Sequence, residues 1–175
     1  MKIGIISDTH DHIENLKPAI ARLQAEGIKK IYHCGDWVAP FTFKYLFEQC
    51  DLKVPVLGVL GNNDGDHFSI ASMIHSKKWE LTIDPDIIED EVDGVSVVVY
   101  HGTDENITDS LINCKKYELV MTGHTHEALV KREEGLTHIN PGTASNALSG
   151  PRLGKPTVAV YDSSDKSSEI INFMD

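Results

Sequence analysis

Five times along this chain an apolar run stops abruptly at a short cluster of Gly, Asp, Asn or His. Residues 2–7 lead into Asp8-Thr9-His10, residues 30–34 into Gly35-Asp36, and residues 54–60 into Gly61-Asn62-Asn63-Asp64. The run ending at Tyr100 leads into His101-Gly102, and the run ending at Thr122 into Gly123-His124-Thr125-His126. Apolar runs this short, broken by turn residues, read as buried strands. In α/β sheets ligands bind in the crevice beyond the carboxyl ends of the strands, so five polar clusters in that position are expected to converge.

The segments between these runs support a sheet with helices outside it. Ile13, Leu16, Ile20 and Leu23 recur at steps of three and four, a helix stripe. Asn15 is the expected cap of that helix, with Pro18 in its first turn and Gly27 at its end. Pro40 opens a second helix over 40–50, and 66–76 is a third. The rhythm to that point is β-α-β-α-β-α. Later, 83–92 and 95–100 read as two strands around an Asp93-Gly94 turn. A helix is expected over 107–114, a strand over 119–122, a hairpin from 128–132 and 136–139 around Glu134-Gly135, and closing strands at 157–161 and 169–173. The prediction is one mixed α/β domain spanning 1–175, with two sheets packed face to face and helices outside.

Composition narrows the function. At 175 residues, 41% hydrophobic and 25% charged, the chain has the mix of a soluble globular protein. No apolar run approaches the ~20 residues of a membrane helix, so no membrane partner is expected. An acid follows the first short apolar stretch at Asp8, which is not a signal-peptide pattern. Cys34, Cys50 and Cys114 are odd in number and unpaired by motif, as expected of free thiols in the cytoplasm. The net charge of −11 repels polyanions and argues against duplex nucleic acid. A small phosphorylated substrate still fits if bound cations reverse the local sign.

Asp8, Asp36 and Asn62 offer oxygen, and His10, His101, His124 and His126 offer nitrogen. Such a mixture suits Mn²⁺, Fe, Zn²⁺ or Ni²⁺ better than Ca²⁺ or Mg²⁺. Seven donors suit two ions, which share a bridging carboxylate when ~3.5–4 Å apart. Each motif alone is bland, since D-x-H, G-D and G-N-N-D are ordinary loop and turn signals. Their combined order, each after a strand, is not.

The series Asp8-x-His10, Gly35-Asp36, Gly61-Asn62-Asn63-Asp64, His101-Gly102 and Gly123-His124-x-His126 resembles the calcineurin-like metallophosphoesterase superfamily. It is most similar to the small YfcE-like phosphodiesterases of bacteria and archaea, from Ile3 to Gly142. The resemblance implies a four-layer α/β/β/α sandwich and hydrolysis of phosphate esters, most of all diesters, by in-line attack of a hydroxide bridging two divalent ions, Mn²⁺ first among them. It places Asp8, His10, Asp36 and His126 on one ion and Asp36, Asn62, His101 and His124 on the other. Asp36, Asn62, Asn63 and His101 are then the candidate catalytic residues. Asp64 matches an orienting position, and Asn140-Pro141-Gly142-Thr143 matches a structural turn beside the site. The YfcE-like relatives imply a homodimer or homotetramer. A protein-binding scaffold of the same fold is the alternative function.

One position departs from the pattern. Many members of the family carry His where this chain has Asn63, and an amide cannot act as a general acid. The departure implies a preference for esters with good leaving groups, unless His12 or His67 supplies the proton. His33 is read as packing or as support for the site, Trp37 as core, and His75 and His138 as surface or hairpin residues. Arg152 is read as an exposed arginine with a lesser claim to a phosphate contact.

Overall fold

The computed structural model describes residues 1–77, 79–145 and 155–174. Arg152 lies outside the described residues. The strands are β1 (Lys2–Ile6), β2 (Ile31–His33), β3 (Val56–Val59), β4 (Leu81–Asp84), β5 (Ile87–Val92), β6 (Val95–Tyr100), β7 (Leu119–Met121), β8 (Leu129–Glu133), β9 (Leu136–Asn140), β10 (Thr157–Asp162) and β11 (Ser167–Asn172). The helices are α1 (Ile13–Ala25), α2 (Pro40–Gln49), α3 (His67–Lys77) and α4 (Glu105–Asn113).

The strands form two mixed sheets, ordered β11-β10-β1-β2-β3-β4 and β5-β6-β7-β9-β8. β1 to β4 run parallel, with β10 antiparallel to β1. In the second sheet β6, β7 and β9 run parallel. Side chains alternate across each strand, and the burial follows. Ile3 and Ile5 of β1, Val97 and Val99 of β6, and Leu119 and Met121 of β7 fill the space between the sheets. Ile6 faces the other way, with Leu16, Ile20 and Leu23 of α1 and with Phe43 and Leu46 of α2. Val98 and Val120 pack beneath Leu111 and Ile112 of α4. The result is the expected four-layer α/β/β/α sandwich, three helices on one sheet and one on the other.

Two local expectations are corrected. The single strand expected over 83–92 is two strands in different sheets. Pro85 cannot donate to a ladder, and the carboxylate of Asp84 accepts instead from the N–H of Asp86 (2.9 Å) and of Ile87 (3.0 Å). The chain therefore leaves β4 and enters the second sheet as β5. Asn15 is not the cap of α1 either. The helix begins at Ile13, so Pro18 lies inside it. Asn15 is buried, and its Nδ2 donates to the carbonyl of Ala144 (2.8 Å). A long-range partner outweighed the local cap.

Candidate metal centre

The parallel ladders carry the loops to a common edge. Beyond β1 and β2 the pairing continues as Asp8 N to Gly35 O (3.0 Å) and His10 N to Asp36 O (3.0 Å). Beyond β6 and β7, Gly123 N donates to His101 O (2.8 Å). The two sheets then meet through Asp8, whose Oδ2 accepts from the N–H of His124 (3.1 Å) and from Ser7 Oγ (2.6 Å). The turns needed are tight. Asp8, His10, Asp36, His124 and His126 all have φ between 43° and 66°. Left-handed backbone is uncommon outside glycine, and its clustering is typical of functional sites.

One donor atom from each of Asp8, His10, Asp36 and His126 lies within 4.8 Å of the others. His10 Nε2 is 3.1 Å from His126 Nε2, 3.4 Å from Asp36 Oδ2 and 3.8 Å from Asp8 Oδ1. His126 Nε2 is 3.2 Å from Asp8 Oδ1, which is buried and accepts no hydrogen bond among the described residues. Ligands bound to one ion at ~2.1 Å sit ~3.0–3.4 Å apart, so every separation but the 3.8 Å between His10 and Asp8 falls in the range of a shared cation.

Asp36 reaches the other way as well. Its Oδ1 is 3.4 Å from His101 Nε2, which is itself 3.1 Å from Asn62 Oδ1. His101 Nδ1 donates to the carbonyl of Cys34 (2.7 Å), which turns Nε2 towards Asp36 and Asn62. Asp36 Oδ1 and Asn62 Oδ1 thus converge on Nε2 of an imidazole that a backbone carbonyl holds from behind, as a metal-ligating histidine is held. The ring of His124 lies edge-on to His101 at 5.2 Å. Asp8 and Asp36 are thus brought to the two histidine groups, with His124 at the margin of the second.

The electrostatics agree. Burial penalises both carboxylates, yet His10 and His126 hold Asp8 far below the ordinary range, and His101 and Asn63 hold Asp36 at about 2. Both are therefore anions at neutral pH. His33 is the opposite case, since complete burial lowers its pKa to about 3. Its neutral ring stacks on Trp37 at 3.3 Å, accepts from Gly35 N (3.1 Å) and meets Thr9 Oγ1 (3.2 Å). It supports the loops around Asp36.

Asp64 binds three backbone donors that shape the site. Its Oδ2 accepts from Gly61 N (2.6 Å) and Asp36 N (3.0 Å), and its Oδ1 from Val38 N (2.5 Å). Asn63 holds the carboxylate of Asp36 itself, through Nδ2 to Oδ2 (2.7 Å) and N to Oδ1 (2.9 Å). At Gly61 a Cβ would overlap Asp36 Oδ1, and at Gly123 it would overlap Ser7 Oγ. In the Asn140–Thr143 turn, Asn140 Nδ2 donates to Gly123 O (2.7 Å) and Thr143 Oγ1 to Asp8 O (2.8 Å).

Sequence reasoning missed Ser7 and Asp11. Asp11 Oδ1 accepts from Ala39 N (2.9 Å) and Thr42 Oγ1 (2.5 Å), tying the first loop to the start of α2. A polar residue ending an apolar strand was the available signal for Ser7, whereas Asp11 needed the neighbouring loop. His12 precedes α1 with its Nδ1 buried and unpartnered among the described residues, while His67 Nε2 bonds the carbonyl of Asp64 (2.9 Å).

The family model of the calcineurin-like phosphoesterase superfamily domain matches residues 1–166. The chain belongs to the calcineurin-like phosphoesterase superfamily. It is a phosphoesterase on that ground, and the Asp/His cluster is consistent with metal-dependent chemistry. Within the superfamily, a protein of Methanocaldococcus jannaschii named as a phosphodiesterase is 34% identical over 166 residues, 95% of each chain. A solved archaeal phosphodiesterase superposes with a TM-score of 0.86 at 32% identity, covering 98% of this chain and 99% of its own. The phosphoesterase YfcE of E. coli superposes at 0.67 over 99% of this chain and 100% of its own, with 16% identity, a likeness of fold alone.

Proposed function

We propose that this phosphoesterase cleaves phosphodiesters at a dinuclear centre within one domain spanning 1–175. Asp8, His10, Asp36 and His126 would hold one divalent ion, and Asp36, Asn62, His101 and His124 the second. The observation that carries the reading is the Asp36 carboxylate, with one oxygen 3.4 Å from His10 and the other 3.4 Å from His101. The name of the 34%-identical relative supports the diester class.

When bound, the ions supply Lewis-acid polarisation of the phosphoryl group and ionise water near neutral pH. The chain's own residues set the rest. Ser7 and the His124 amide fix Asp8, Asn63 fixes Asp36, and the Cys34 carbonyl fixes the tautomer of His101. The new bond forms between phosphorus and the oxygen of water, and the bond to the leaving oxygen breaks. Asn63 spends its amide on Asp36 and has no acidic proton for the leaving oxygen. General-acid help is typically worth ~10²–10⁴-fold, so esters that leave as stable anions, aryl diesters above all, are favoured. The mixed N/O donor set fits Mn²⁺, with Ni²⁺, Fe or Zn²⁺ as substitutes. A cytoplasmic setting and a homodimer or homotetramer complete the proposal.

The test is hydrolysis of aryl phosphodiesters and monoesters by metal-stripped protein, re-supplied with each ion. We expect activation by Mn²⁺, a preference for diesters, and rates that fall steeply as the leaving-group pKa rises. No hydrolysis with any ion would overturn the enzyme in favour of a scaffold. A flat leaving-group dependence would overturn the role given to Asn63.

A further inference from the structure

A cavity of about 590 Å³ adjoins the metal centre on the outer side of the second sheet. It lies between α4 and the β8–β9 hairpin, because a single helix covers that sheet. Thr108 and Asp109 line it from α4, Lys131 from β8 and His138 from β9, with Thr122 and His124 where it meets the site. Its size is that of a small-molecule pocket. His124 is the link, since its ring stands 5.2 Å from that of His101.

The lining has a definite chemistry. Thr103, Thr108, Thr122 and Thr125 line it with Ile112 and Leu129; the Oγ1 atoms of Thr108, Thr122 and Thr125 already bond Asp104 O, His138 Nε2 and Asn140 Nδ2, and each keeps further hydrogen-bonding capacity. His138 is 8% exposed, and the one side-chain partner of its ring among the described residues is Thr122, through Nε2 at 2.9 Å. Its Nδ1 has no protein partner among them. Desolvation by the surrounding residues keeps this imidazole neutral, so the floor of the cavity offers an uncharged donor or acceptor. Lys131 is already paired with Glu133 at 2.8 Å. The carboxylates of Glu105 and Asp109 therefore leave the walls net negative.

We infer that this groove receives one alcohol arm of the diester and selects an uncharged, hydroxyl-bearing arm of glycerol to sugar size. The inference rests on the phosphodiesterase reading above and adds the substrate class to it. A hydroxyl on the arm meets the ring of His138 and the threonines, and a second phosphate is repelled by Glu105 and Asp109. A bare alkyl arm leaves the polar floor unpaired, which a polar pocket discriminates against.

Three diesters sharing the 4-nitrophenolate leaving group test this: methyl, glyceryl and 3-phosphoglyceryl 4-nitrophenyl phosphate, assayed with Mn²⁺. The expected order of kcat/KM places glyceryl about 10-fold above methyl, with phosphoglyceryl below glyceryl. Thr108→Tyr, which fills the groove from an outer helix, brings the glyceryl-to-methyl ratio towards one, chiefly through KM. Asp109→Lys raises kcat/KM for the phosphoglyceryl ester relative to the glyceryl one. Equal wild-type rates on methyl and glyceryl esters would overturn the inference, as would ratios that neither variant moves. Activity on all three esters without discrimination leaves the phosphodiesterase reading standing, whereas no activity on any of them with any ion removes that reading as well.

Discussion

Replacing Asp64 separates the loop architecture from the metal chemistry, because this side chain touches only backbone of the site. Its carboxylate accepts from Asp36, Gly61 and Val38, three N–H groups on two loops. In Asp64→Asn the amide oxygen retains the two donors that share Oδ2, and the NH₂ group is set against the N–H of Val38. One buried donor is orphaned, at a cost of about 1–3 kcal/mol. The two remaining bonds lose their charge assistance. Against this, burial outweighs the three N–H groups and raises the pKa of Asp64, so a neutral side chain recovers desolvation. The net loss belongs near 1–2 kcal/mol, or roughly 2–8 °C in Tm for a chain of this size. Asp64→Ala orphans all three donors and is expected to cost about 3–5 kcal/mol. Loss of this outer support should also weaken metal binding about 10–100-fold. Urea unfolding of the metal-free proteins measures the first effect, and the Mn²⁺ dependence of Tm measures the second. Equal stability of the wild type and both variants would refute the account, as would an alanine variant that is no worse than the asparagine one.

Two further outcomes follow from particular contacts. Gly61→Ala sets a Cβ 2.8 Å from His101 Nε2 and in overlap with Asp36, whereas Gly65, in the same loop, has open space where its Cβ would be. The first variant should lose Mn²⁺-dependent activity by at least about 10-fold and the second should keep it, as titration of activity with Mn²⁺ will show. Asp90 of β5 accepts from Lys30 Nζ and Tyr32 Oη, both at 2.6 Å, and so joins the two sheets. Burial opposes its charge, but Lys30 and Tyr32 prevail and lower its pKa. A lowered folded pKa gives stability that is complete above the unfolded value of ~3.9 and lost as pH falls through the folded value. The Tm gap between wild type and Asp90→Asn should hold above about pH 5 and shrink below about pH 4; a gap unchanged down to pH 2 would contradict this.

The periodicities settled much of the molecule in advance. The apolar run over 95–100 and the steps of three and four from Ile13 to Leu23 mark a buried strand and the buried face of a helix, so strand and helix positions were legible from local pattern. The order of Asp8, His10, Asp36, Asn62, His101, His124 and His126 after strands likewise pointed to the edge at which Asp8, His10, Asp36 and His126 gather. Tertiary structure decided what local pattern cannot express. Pro85 breaks a strand, but only the packed sheets determine that the chain changes sheet there. Asn15 has a good local use as a cap, yet a carbonyl 129 residues away claims it. The tautomer of His101 depends on Cys34, and the cavity beside His124 on a helix and a hairpin that are adjacent only once folded. Hydrophobic period is set by neighbours a few residues apart, whereas hydrogen-bond partners and cavities belong to whichever surfaces the fold brings together.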